Sequence, residues 1–202
     1  VARRRDAAIA GHRGDAPGAR RYLTDPDPMV RATALAALVR CRSVDARDLV
    51  TALGDSSPVV RARAAELSAC MPGDGPPRLR DTLGDTETAV VESAAWASGE
   101  RQPAEPGIVP ALAGLATDHA DPLCREAAVA ALGAIGDPAG LAAILVATRD
   151  KPAIRRRAVL ALAPFSGPAV DEALARAAQD RDWQVRQAAE DVGGDPPTKV
   201  RS

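Results

Sequence analysis

DPDPMVRATALAAL, residues 25–38, has a counterpart further along the chain, where Asp55 is followed by SSPVVRARAAEL at residues 56–67. Both stretches carry one skeleton: an Asp, a Pro three residues on, a Val-Arg pair, and an Ala three residues beyond the Arg. Anchored on that Pro, the skeleton returns at Pro28, Pro58, Thr88, Pro122, Pro152 and Trp183, with steps of 30, 30, 34, 30 and 31 residues. Three residues after each anchor stand Arg31, Arg61, Val91, Arg125, Arg155 and Arg186, and three further on an Ala every time, from Ala34 to Ala189. A fixed period of about thirty residues marks a chain built of structural repeats.

Each repeat reads as two helices. The second starts at the anchor, where Pro suits the first turn because no amide hydrogen is needed there, and an Asp or Ser just before it can cap the free amides. The first helix shows best in LVTALGD (residues 49–55) and LRDTLGD (79–85), where leucines four apart share a face. Gly54 and Gly84 are expected to supply left-handed stops. Further first helices are expected at 109–117, 139–148 and 169–179, with a shorter one near 17–24. ARRRDAAIAG at the start reads as the second helix of an incomplete repeat over residues 1–14, and residues 193–202 read as a disordered tail. Residues 1–192 are thus expected to form a single repeat domain.

Composition agrees with helices. Hydrophobic residues make up 46% of the 202 while aromatics are only 2%, so Ala, Leu and Val must fill the core. Sheet proteins lean on β-branched and aromatic side chains. With 26 basic and 27 acidic residues the formal net charge is −1, which gives no general pull toward nucleic acid or an anionic membrane. Cys41, Cys70 and Cys124 are odd in number and widely spaced, which argues against a disulfide framework and a zinc site. No apolar run approaches the ~20 residues of a membrane span. These features predict a cytoplasmic monomer without cofactor or metal.

The helical pair with D-x-x-P-x-V-R-x-x-A resembles HEAT repeats, in particular the bacterial class that also occurs in phycobilisome lyases. The resemblance covers about residues 15–192 and implies an all-α fold, an α-solenoid of about six stacked two-helix HEAT-like repeats. It weakens in the third repeat, where Val91 and Thr88 depart from the pattern and GERQPAEPG (99–107) lengthens the connection. It also implies a structural Asp–Arg ladder, made here by Asp25, Arg31, Asp55, Arg61, Arg125, Arg155, Asp180 and Arg186. In such solenoids the second helices line the concave side. Helical phase then places Trp96, Glu66, Glu92, Glu126, Arg156 and Leu160 on that face, opposite the repeated Ala. Trp183 is expected to cover the last core layer.

Little suggests catalysis. The two histidines are His12 and His119, and His119 sits between Asp118 and Asp121 in the slot that other repeats give to Asp. His and carboxylates can form acid–base pairs, but no nucleophile or third ligand recurs at a supporting spacing. Cys124 stands in the slot of the core Val, and free Cys commonly packs as a small hydrophobe. The chain therefore reads as a non-enzymatic scaffold or adaptor that binds a protein or peptide on the concave face, with neither nucleic acid nor membrane as partner. The resemblance implies two alternatives: a nucleic-acid-binding protein related to alkylpurine DNA glycosylases, or a subunit of a chromophore lyase or maturation factor.

Overall fold

The computed structural model describes residues 1–73 and 75–194. The expected tail therefore lies outside the described residues from 195 onward. Among those described, the chain forms twelve α-helices and three short 3-10 turns, with no strand. The fold class is the all-α solenoid the sequence predicts. The helices gather into two compact units, Val1–Ala111 and Leu112–Ser202.

In the first unit α1 (Ala2–Arg13), α3 (Pro28–Arg40), α5 (Pro58–Leu67) and α6 (Thr88–Glu100) follow one another as second helices, and each packs on the next. The first helices α2 (Ala16–Arg20) and α4 (Ala46–Leu53) brace α3 and α5 from one side. α7 (Ile108–Asp118) carries the chain into the second unit. There α8 (Pro122–Ile135), α10 (Pro152–Ala161) and α12 (Trp183–Gly193) form the row of second helices. They are paired with α9 (Leu141–Ala147) and α11 (Pro168–Ala177).

The skeleton's apolar positions are what the rows bury. Ala34, Ala64, Ala94, Ala128, Ala158 and Ala189 are all in the core, as are Val30, Val60, Val90, Cys124, Ile154 and Val185 four residues before them. Small side chains at this face let neighbouring axes approach closely. The approach is close at Gly11 of α1 against Ala37 and at Gly133 of α8 against Ala161. A Cβ on either glycine would lie 2.7 or 2.6 Å from the opposing alanine's Cβ.

Two local expectations are corrected. Gly54 has φ −93°, and Gly84 is not left-handed either; left-handed stops occur instead at Gly14 and Gly136, after α1 and α8. LRDTLGD gives only a 3-10 turn, Asp81–Gly84, rather than an α-helix. Pro72, Pro76 and Pro77 just ahead of it lack amide donors and break helical continuity. The segment is held instead by Arg101, which follows α6 and is 1% exposed. Its guanidinium donates to the carbonyls of Met71, Pro72, Gly75 and Pro77. It also lies 3.6 Å from Glu105, itself 4% exposed, whose carboxylate accepts the Leu79 amide at 2.8 Å.

Candidate functional site

The ladder is a chain of forward-reaching ion pairs. Nε and Nη2 of Arg31 both donate to Asp55, at 2.8 and 2.7 Å, while Nη1 donates to the backbone carbonyl of Asp25. Arg61 repeats this on Asp85 and the Asp55 carbonyl. In the second unit Arg125 pairs with Asp150, and Arg155 with Asp180. Each arginine thus binds the carboxylate of the following repeat and, in its own, backbone carbonyls at or just after the acid slot. The carboxylate has a second task, accepting an amide just ahead of the second helix: Ser57 for Asp55, Glu87 for Asp85, Asp182 for Asp180.

These contacts set the electrostatics. The guanidinium hydrogen bonds hold Asp55, Asp85, Asp150 and Asp180 below the ordinary carboxylate range, against partial burial, which pushes the other way. The same bonds raise Arg31, Arg61, Arg125 and Arg155. Asp85 and Asp150 belong to the ladder although a six-residue Asp-to-Arg spacing misses them. Asp85 has Val91 six residues on where an arginine would stand, and Asp150 stands five residues before Arg155. Arg3 adds a further rung, 3.2 Å from Asp25. Among the described residues Arg186 reaches the carbonyls of Asp180 and Arg181 and no carboxylate. Where the arginine gives way to the buried Val91, the acid slot of the next repeat gives way to His119, whose Nδ1 accepts the Asp121 amide at 3.1 Å.

The opposite face of the second helices is open. In the first unit Met29, Ala32, Ala36, Val59 and Ala62 floor a groove of 440 Å³, with Arg4, Arg63, Glu66 and Glu87 at its edges. It shares Ala62, Glu66 and Ala89 with a second depression of 330 Å³ completed by Glu92, Ser93 and Trp96. Trp96 is 48% exposed, so its indole is a wall of this hollow and no part of the core. Glu66 is bridged by Arg63 at 2.7 Å along the same helix. The structure therefore brings Glu66, Glu92 and Trp96 together.

Glu126, Arg156 and Leu160 belong to the second unit. Glu126 lies 3.6 Å from Arg157. Arg156 and Leu160 line a smaller depression of 210 Å³ with Trp183, Gln184, Gln187 and Asp191. Trp183, expected over the core, is instead 65% exposed. As the first residue of α12 it precedes the buried stripe that Val185 begins.

No group of three or more His, Cys, Asp or Glu able to hold a metal occurs among the described residues. No helix among them is long and apolar enough to cross a membrane. Cys124 is buried, Cys41 half-buried and Cys70 exposed.

A family model described as HEAT repeats matches residues 76–153 and 115–192, together more than half of the chain. Among solved structures, Escherichia coli YibA superposes with a TM-score of 0.65 at 19% identity, covering 86% of this chain and 67% of that one. A designed armadillo repeat protein in complex with peptide (KR)4 gives 0.64 at 19% identity, covering 87% and 97%. An engineered protein gives 0.65 at 20% identity, covering 87% and 96%. At such identities the likeness is one of fold. Comparison with curated proteins gives no match.

Proposed function

The chain belongs to the HEAT-repeat family, and from that premise we propose that it is a non-catalytic scaffold holding a peptide or protein segment on the face lined by its second helices. The observation that carries this reading is the first unit's open face. There a half-exposed Trp96 stands beside an alanine-floored groove continuous with its own hollow. Solenoid faces of this kind are common docking surfaces, and Trp is enriched among residues that dominate binding energy. A similarly folded designed armadillo protein was solved with a peptide, which supports the mode of binding and not the sequence bound. The same anchor register on both sides of residue 111 supports counting residues 1–192 as one array of repeats.

Display selection of random peptides tests the reading. Wild type is compared with a variant carrying Trp96→Ala and Ala62→Arg, which removes the wall and fills the floor. Wild type is expected to enrich a set of related peptides that the folded variant loses. Equal enrichment by both would place binding elsewhere and overturn the proposal.

A further inference from the structure

Resting on that reading, we propose that the first unit's face takes a basic peptide segment. A lysine or arginine cation would stack on Trp96 beside Glu92 and Glu66, and a neighbouring apolar side chain would enter the alanine-floored groove.

The two hollows differ in charge. The one at Trp96 has Glu66 and Glu92 as its charged lining residues. Glu92 and Trp96 are four residues apart on α6, hence neighbours on one helix face. Glu92 is exposed and makes no ion pair among the described residues. Glu66 has a partner, Arg63, but both side chains are more than two-fifths exposed. Such a pair is worth little and is readily exchanged for an incoming cation. An indole face attracts a cation within about 6 Å of the ring, and a carboxylate alongside supplies the counter-charge. The ring and its flanking acids therefore select for positive charge.

The larger groove is electrically balanced, with Arg4 and Arg63 against Glu66 and Glu87 around a floor of Met29, Val59 and alanines. It offers contact area and no charge preference. The shared residues Ala62, Glu66 and Ala89 make the hollows adjacent, so one short segment can place its cation in the first and an apolar side chain in the second. The second unit's depression at Trp183 mixes Arg156 with Asp191 and makes no such selection.

The test uses a Trp183→Phe background, so that emission reports Trp96. Short synthetic peptides of equal length, alternating Leu with Arg or Lys, with Glu, or with Gln, are titrated at low and at high salt. The basic peptide is expected to shift Trp96 emission saturably and to weaken as salt rises. Glu92→Lys is expected to weaken it by about tenfold, through loss of the counter-charge and repulsion of the cation. Unchanged affinity in Glu92→Lys would overturn the basic-segment inference. Saturable binding of the Gln or Glu peptide as tight as that of the basic one would also overturn it, while leaving the peptide-holding function standing. No response of Trp96 to any of these peptides, or to any recovered by display selection, would overturn both.

Discussion

Neighbouring repeats are joined by Arg–Asp pairs still partly open to water; the third repeat adds within itself a second kind of joint, Arg101 with Glu105, closed to it. The regular joint asks little of its ion pair, because the turn ahead of each second helix retains backbone donors that the acid can accept. In the third repeat Pro72, Pro76 and Pro77 remove donors from the segment that replaces a helix. Its carbonyls must then be met from outside. A guanidinium offers five N–H groups in one plane, and Arg101 donates to four carbonyls while lying 3.6 Å from a neighbouring carboxylate. Burial of a charged pair thus follows from a shortage of backbone donors nearby.

The comparison can be broken most directly by removing one partner from each kind of joint. Arg101→Met strands Glu105 and the loop carbonyls in the interior, and loss of one member of a buried pair costs about 3–5 kcal/mol. Arg31→Met is expected to cost about 1 kcal/mol, because its site is partly solvated. Urea denaturation of both variants checks this, and equal losses would mean that the two joints are energetically alike.

Packing comes next in size. Ala128→Leu forces α8 from its neighbours and is expected to cost roughly 1–3 kcal/mol by overpacking. Ala130→Leu, on the partly open face of the same helix, is expected to be close to neutral. Thermal unfolding separates the two.

The ladder carries a pH signature. Carboxylates with depressed folded values contribute stability that is fully present above their unfolded value of about 4 and is lost as pH falls through the folded ones. Acid titration of the helical signal is expected to show this loss at and below about pH 4. Asp150→Asn should remove its own share, about 1 kcal/mol at neutral pH, and shallow the acid slope. An unchanged slope would show that the rung stores no charge-dependent stability.

Trp96→Ala is expected to have the smallest effect on folding, below about 1 kcal/mol, because nearly half of the ring is already in water. A core Trp would lose about 3–5 kcal/mol. Emission near that of exposed indole, with ready iodide quenching in the Trp183→Phe background, checks the same point by an independent route.

The second helices are legible in the sequence because one short pattern fixes both their start and their buried stripe. Asp27, Pro28, Val30, Arg31 and Ala34 set cap, register and core within about two turns, and neighbours repeat the pattern. Residues 79–85 mislead because Leu79 and Leu83 have helical spacing, while the cause of the irregular backbone lies in prolines upstream and in Arg101 downstream. No local pattern connects residues 24 to 30 positions apart when neither belongs to the repeat. Helical phase places Glu92 and Trp96 outward and, together with the stacking of α5 on α6, brings Glu66 beside them. Trp183 escapes the same reasoning because substitution of the anchor Pro says nothing of which way a first-turn side chain points.

The rungs also give the array a direction. The repeats anchored at Pro28, Pro58 and Pro152 each receive an arginine from the one before and extend their own to the one after, so such a repeat could be duplicated or deleted and its neighbours would still present matching halves. The third repeat receives Arg61 on Asp85 but holds Val91 where its own arginine would stand. Its spare cation, Arg101, is committed to its own loop. It is therefore not interchangeable with the others: copied into the middle of a series it would interrupt the relay, and as the last member of a series it needs no successor.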